Sequence, residues 1–231
     1  MMMKIMTWNI LSYDYIKPSY YPQITKTILS NERARIKRII TILVEENCDI
    51  MMLQEVTPTM RERLYRTFGT DFEISRIAMI WSNCGNVTML RKNMFAHISV
   101  SYFDNGIHIT CKNRDKDIVN IHLDHLSVIK RRATMKYVDD ITKNSNVCII
   151  GGDFNQQYRK DSRLYSLPRF VAHNLEHPTY YTERNMNIDN ILTKGFARTE
   201  YTVPNIMSKS HDEIFDFYGS DHLPVIIQAS V

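Results

Sequence analysis

The amino-acid sequence predicts an α/β fold arranged as one domain over residues 1–231, and three observations lead there. A chain of 231 residues with 44% hydrophobic content can bury a sizeable core, and this length suits one large domain better than two small ones. Two segments with apolar residues at helical spacing each run into a short β-branched apolar stretch, the order that builds parallel crossovers. Between them lies a series of short apolar runs separated by turn sequences. The seven glycines and seven prolines are scattered, with no low-complexity tract or fixed repeat, which argues against disordered and solenoid architectures.

Taken in order, Lys4 to Ile10 reads as a first strand with Trp8 and Asn9 at its end. Leu11 to Ser30 is rich in Tyr and Pro and reads as an irregular loop. Its tyrosines (Tyr13, Tyr15, Tyr20, Tyr21) either pack that loop onto the core or stack on bases and sugars. From Asn31 to Asn47, Ile36, Ile39, Ile40, Leu43 and Val44 fall at helical spacing, and Arg33, Arg35, Lys37 and Arg38 read as a solvated face. Cys48 to Leu53 is a buried strand that exposes Glu55 at its end. Thr57 and Pro58 cap and open a helix reaching Phe68. Ile77 to Trp81, Val87 to Leu90, His97 to Phe103, Ile107 to Cys111 and Asp117 to Leu123 read as strands, with Asp104-Asn105-Gly106 the best hairpin signal. Ser127 to Lys143 carries Ile129, Ala133, Tyr137 and Ile141 four apart and reads as a helix on that stripe.

Val147 to Ile150 is a central strand stopped by Gly151-Gly152, whose open backbone geometry would let a substrate approach Asp153 and Asn155. Downstream, Arg159, Lys160, Arg163 and Tyr165 interleave cations with an aromatic ring; as a nucleic-acid contact they would join phosphate attraction to stacking, and otherwise they form a solvated loop. Ile188 to Leu192, Phe196 to Val203 and Val225 to Val231 complete the strands.

A formal charge of +4 permits a polyanionic substrate without demanding one. Cys48, Cys84, Cys111 and Cys148 lie far apart without metal-knuckle spacing and read as small core hydrophobes in a reducing compartment. The opening residues lack the apolar stretch of a signal peptide, and no run is long enough to span a membrane, so the expectation is an intracellular, cytoplasmic protein, taken as a monomer.

Several apolar runs meet acids, amides or imidazoles: Asn9, Glu55, His122, Asp153, Asn155, Asp189, Asp221 and His222. Oxygen donors without a thiolate suit Mg²⁺, with Mn²⁺ as substitute, better than Zn²⁺. The P-loop pattern and the Gly-x-Ser-x-Gly and Cys/His nucleophile patterns are absent. A metal beside His and Asp groups is what in-line hydrolysis of a phosphate ester requires.

The ordered motifs Thr7-Trp8-Asn9-Ile10, Leu53-Gln54-Glu55-Val56, His122-Leu123-Asp124-His125, Gly151-Gly152-Asp153-Phe154-Asn155, Ile188-Asp189-Asn190-Ile191 and Gly219-Ser220-Asp221-His222-Leu223-Pro224-Val225 resemble the signatures of the endonuclease/exonuclease/phosphatase superfamily, the DNase I-like fold. The likeness runs over nearly the whole chain. It implies a four-layer sandwich of two mixed β-sheets flanked by helices, with the site at one edge. It also implies a divalent metal held by Glu55, Asn9 and Asp221, and an attacking water and phosphate oriented by Asp153 and Asn155. In the same scheme His222 pairs with Asp189 as base or phosphate contact, and His122 steadies the transition state. Asn187 and Asn190 depart from the family pattern around Asp189. The Asn9-Ile10-Leu11 opening, the Tyr-rich loop and the Arg-bearing helix are similar to the deadenylase and 2′-phosphodiesterase branch, while His-Leu-Asp-His also occurs in small uncharacterised members and sets the chain apart from the abasic-site endonucleases; the motifs of the inositol phosphatases are absent.

The function implied is metal-dependent phosphodiester hydrolysis on nucleic acid or nucleotides, RNA or single-stranded DNA first, with Tyr13 and the 159–165 cluster as substrate contacts. A phospholipid head-group phosphodiesterase would keep the chemistry, but no amphipathic membrane helix supports it. An inactive binding or scaffold member would have lost an acid, and every acid is present.

Overall fold

A computed structural model describes residues 2–79, 83–95, 98–111, 116–158, 167, 169–181, 185–202, 204 and 209–230. The chain runs β1 (Met2–Asn9), α1 (Lys26–Leu29), α2 (Glu32–Glu46), β2 (Ile50–Val56), α3 (Pro58–Phe68), β3 (Phe72–Ile74), β4 (Ala78–Met79) and β5 (Gly85–Arg91). It continues β6 (Ile98–Phe103), β7 (Gly106–Cys111), β8 (Lys116–His122), α4 (Val128–Thr142) and β9 (Val147–Asp153). The last part is β10 (Val171–Ala172), β11 (Tyr180–Tyr181), β12 (Asn185–Met186), β13 (Asp189–Lys194), β14 (Arg198–Thr202), α5 (His211–Tyr218) and β15 (Val225–Ser230).

One sheet has the order β14-β15-β1-β2-β5-β3, with β4 also on β5; the other is β10-β13-β9-β8-β7-β6. Both are mixed: β1 with β2 and β8 with β9 are parallel, and the pairs flanking them are antiparallel. Side-chain alternation makes the layers. Met6 and Trp8 of β1 and Met51 and Leu53 of β2 pack outward on α2, α3 and α5. Met3, Ile5, Ile50 and Met52 face inward on Ile109, Ile118, Ile149 and Ile191 of the second sheet. Val119, Ile121, Cys148 and Ile150 face the far side, against Met135 and Val138 of α4. Strands buried on both faces must be apolar at nearly every position, which is why these read as unbroken hydrophobic runs. The result is the helix-sheet-sheet-helix sandwich that the motif order implied.

Gly151 serves this packing and does not open a path for substrate, as its place in the sequence suggested. It is fully enclosed, and a Cβ there would lie 2.2 Å from Cε of Met52 and 3.3 Å from Cβ of Thr7 in the facing sheet. The two sheets approach closely at this point because glycine lets them.

Two further sequence expectations need correction, and one element was missed. The α4 stripe on the core is Arg131, Met135, Val138 and Thr142, while Ile129 is 81% exposed. Steps of four drift around a 3.6-residue helix, and the observed steps of four, three and four follow one face. Arg35 is not on a solvated face: it is buried, with Nη1 donating to the carbonyls of Ile10, Leu11 and Gly219 and its remaining nitrogens held by Glu32. The segment before β15 contains α5, a helix the apolar pattern did not announce although Ser210 and Glu213 form a complete capping box. Of the strand expected over Ile77 to Trp81, Ala78–Met79 is formed, and 80–82 lie outside the described residues. The Asp104-Asn105 hairpin forms as expected, with Asn105 left-handed at φ 70°. All four cysteines are buried and unlinked. No described helix is long and apolar enough to cross a membrane.

Candidate active site

The inward faces of the strands turn polar at one end of the sandwich. Following the apolar inward positions, β1 ends in Thr7 and Asn9, β8 in Asn120 and His122, and β9 in Gly151 and Asp153; β13, antiparallel to β9, begins at Asp189 opposite Asp153. The loop before β15 adds Asp221 and His222, and Trp8 ties it down by donating its indole N–H to the carbonyl of His222 at 2.9 Å. Apolar core thus gives way, without a change of register, to a floor of acids and imidazoles.

Glu55 arrives differently. In a regular β2 its side chain would share the outward face of Met51 and Leu53. The register with β5 slips between Leu53 and Val56, and Glu55 takes φ 59°, a left-handed conformation unusual for a side-chain-bearing residue. This bulge redirects the carboxylate to the cleft. Asn120 braces it by donating to the carbonyls of Leu53 and Val87 at 3.2 and 3.0 Å, while Gln54 donates to Oδ1 of Asn120 at 2.8 Å. Leu11 and Asn155, also left-handed, flank the same floor at φ 55° and 48°.

Contacts then knit the floor. Asn9 Nδ2 bridges Oε1 of Glu55 and Oδ2 of Asp153 at 3.0 and 3.1 Å, and its Oδ1 accepts from the N–H of Leu11. As a metal ligand, Asn9 would have to turn this amide over. The N–H of Ser12 donates to Oε2 of Glu55 at 2.8 Å. Nδ1 of His222 lies 2.8 Å from Asp189 Oδ2, which also accepts the hydroxyl of Thr179 at 2.6 Å. Asp153 Oδ2 lies 3.5 Å from Nε2 of His122 and 3.9 Å from Nε2 of His222. Tyr21 donates to Asp221 Oδ2 at 3.0 Å. The backbone N–H of Asn155 donates to Asp153, and its amide donates to the carbonyl of Leu123.

The floor carries an excess of buried negative charge. Burial, with Asp189 alongside, pushes the Asp153 carboxyl up to about 7. Burial also raises Glu55 and Asp221. Burial works against charge on His222, but Asp189, Asp221 and Asp153 outweigh it and lift the imidazolium to about 10. His122 goes the other way, to about 4, because burial dominates there. Oδ1 of Asp189 and Oδ1 of Asp221 are buried with no hydrogen-bond partner. Carboxylates that are crowded, raised and partly orphaned are what a divalent cation compensates, so the donor set fits one. Asp153, Asp189 and His222 bring ligand atoms within 4.8 Å of one another.

These groups line a cleft of about 480 Å³ whose walls are Leu11, Tyr15, Tyr20, Tyr21, Tyr180, Met186 and Ile188. It brings together Glu55, His122, Asp153, Asn155, Asp221 and His222, with Asn9 and Asp189 one contact behind. Tyr13 is elsewhere, half-exposed beside Ile16, Pro18 and Lys26 in a separate shallow depression. Arg159, Lys160, Arg163 and Tyr165 lie outside the described residues. Sequence reasoning missed the supports: Thr179 behind Asp189, Tyr21 behind Asp221, Asn120 behind the bulge. Asn187 and Asn190, which depart from the family pattern, are buried in an amide network with Asn174 that shapes the turn before Thr179.

A two-sheet sandwich that opens at one end on acids and imidazoles is the build of phosphate-ester hydrolases. The chain belongs to the Endonuclease/Exonuclease/phosphatase family, which it matches over residues 6–222. Among solved structures it is similar to ANGEL2, a 2′,3′-cyclic phosphatase, with TM-score 0.73 and 13% identity over 99% of this chain and 95% of that one. D. rerio TDP2 complexed with single-strand DNA product gives TM-score 0.70 and 14% identity, covering 100% and 99%. The endonuclease/exonuclease/phosphatase from Bacteroides vulgatus gives TM-score 0.71 and 17% identity, covering 100% and 99%. At these identities the likeness is one of fold. No curated protein matches the chain in sequence.

Proposed function

We propose that this chain is a Mg²⁺-dependent phosphodiesterase, with Mn²⁺ as substitute, acting on nucleic acid or nucleotides by one-step in-line attack of water. RNA or single-stranded DNA is the favoured substrate. The observation that carries the reading is the convergence of Glu55, Asp153, Asp221, His122 and the Asp189–His222 pair on one cleft floor. Family membership and a similar structure holding single-strand DNA product support it.

Glu55, Asp221 and Asn9 would hold the cation, which supplies charge neutralisation on the phosphate and its leaving oxygen. Asp153, whose carboxyl is raised toward neutrality, accepts the proton of the attacking water, and Asn155 beside it holds the phosphate. His222, kept cationic by Asp189, is placed as the phosphate contact rather than the base. His122, neutral by burial, donates to charge developing in the transition state. Labelled RNA and DNA strands incubated with Mg²⁺ should be cleaved by the natural protein. Glu55→Gln and Asp153→Asn should each abolish cleavage with folding intact, and turnover retained in both would refute the assignment.

A further inference from the structure

The cleft has a second half that the hydrolytic groups do not use. Beside the acid floor, its lining is apolar and aromatic: Tyr15 and Tyr20 from the first loop, and Tyr180, Met186 and Ile188 around the β11–β12 pair. Tyr20 is 56% exposed, with the ammonium of Lys17 5.5 Å from its ring centroid. The ring of Tyr180 lies 4.8 Å from that of His222, so this lining begins where the phosphate contact ends.

We infer that this lining is a nucleobase subsite: one unstacked base lies among Tyr15, Tyr20, Tyr180 and Met186 while the phosphate of the same nucleotide meets the floor. The inference rests on the phosphodiesterase reading and narrows its substrate to strands that can surrender a base from the stack. A volume of about 480 Å³ is that of a small-ligand cleft and holds one nucleotide, not a duplex. Phenol rings present flat π faces and polar rims, which match a heterocycle; an acyl chain would call for aliphatic walls. The cation of Lys17 next to Tyr20 is placed for a neighbouring phosphate of the same strand. A base held between ring faces needs no particular edge pattern, so the subsite would accept purines and pyrimidines alike.

The test is equilibrium binding, by calorimetry with Mg²⁺ present, of a nucleoside 5′-monophosphate against ribose 5-phosphate, run beside cleavage of a single-stranded oligonucleotide with a base or an abasic residue at the scissile nucleotide. The expected result is binding of the nucleotide about tenfold tighter than the base-free sugar phosphate, with most of that margin lost in Tyr20→Ala. Equal binding of the two ligands, or equal cleavage of intact and abasic strands, overturns the subsite even if hydrolysis is vigorous. Preference for sphingomyelin or phosphatidylcholine vesicles over oligonucleotides overturns it as well. Base-dependent binding without cleavage of any phosphodiester would keep the subsite and remove the hydrolase instead.

Discussion

The two sheets bring their chemistry to the cleft in different ways. The sheet of β8, β9 and β13 does it by register alone: His122 and Asp153 are paired across β8 and β9, Asp189 and Asp153 across β13 and β9, each a strand end on the inward face. The sheet of β1, β2 and β15 delivers Asn9 by register and the rest by exceptions. Glu55 depends on a bulge, Leu11 on a left-handed turn held by Arg35, and Asp221 on a loop pinned by Trp8 and Tyr21. A side chain delivered by register is as rigid as the core behind it; one delivered by an irregularity is as rigid as its braces. Strained backbone of this kind persists only where its surroundings over-determine it.

Among the groups that act through another, the largest expected effect lies on the regular side. Asp189→Asn should cut kcat by about 10² to 10³, the range ascribed to one donor aimed at developing charge, because His222 loses the carboxylate that holds its charge and tautomer as the phosphate contact. The same substitution has a signature in stability. Folded His222 keeps its proton up to about 10 against an ordinary 6.5, so in metal-free protein its contribution is full below 6.5 and is lost as pH rises toward 10. Asp153, near 7, is still titrating at neutrality, and the buried Cys84 thiol, pushed up from 9.0 to about 11, adds its own loss above pH 9, so the His222 contribution is the part of the alkaline fall that Asp189→Asn removes. Thermal melts of metal-free protein should therefore fall between pH 7 and 10, and Asp189→Asn should lessen that fall. A slope that the substitution leaves unchanged would show that the pair does not set the charge.

How much of the site was legible follows the same division. On the regular side, His122 and Asp153 stand in the sequence where an apolar run ends and Asp189 stands inside one, so all three could be picked out as polar groups on apolar strands. On the irregular side, Glu55 was found as an acid after an apolar run, but its parity points it at α2 and α3, and only the bulge turns it round. Nothing near Arg35 announces three carbonyls 24 to 184 residues away that need its guanidinium. Thr179 and Tyr21 are ordinary loop residues until Asp189 and Asp221 are folded against them. The helix α5 was written in its cap, Ser210 with Glu213, yet two turns are too short for periodicity to speak. Local propensity and alternation are read from neighbours in sequence; braces are long-range, and their partners are known only once the sheets have met.

A remote brace sharpens the contrast further. Asn120 touches no cleft surface, but removing it in Asn120→Ala leaves the carbonyls of Leu53 and Val87 and the amide of Gln54 short of a partner inside a fully buried network. The expected loss is about 1–3 kcal/mol of stability, read by denaturant unfolding. Its second consequence separates the two sheets: with the bulge loosened, Glu55 should drift, and half-saturation by Mg²⁺ should rise about tenfold, equivalent to ~1.4 kcal/mol. Lost stability with an unchanged metal titration would mean the bulge supports itself.

Tyr21 gives the smallest and most specific break. Its ring is packed against Phe215 at a centroid distance of 5.9 Å, so Tyr21→Phe keeps the packing and deletes one hydroxyl. That hydroxyl is the hydrogen-bond donor on Oδ2 of Asp221, whose other oxygen has none. An ordinary hydrogen bond is worth about 0.5–1.5 kcal/mol net, so the variant should melt within a few degrees of the natural protein. Asp221, however, would be free to rotate, and Mg²⁺ binding measured by calorimetry should weaken several-fold while kcat at saturating metal stays near its natural value. Because the loop bearing Tyr21 belongs to no sheet, this outcome would place the irregular side's rigidity in single hydrogen bonds. A fall in kcat with unaltered metal binding would instead make Tyr21 part of the reaction and dissolve the distinction between brace and site.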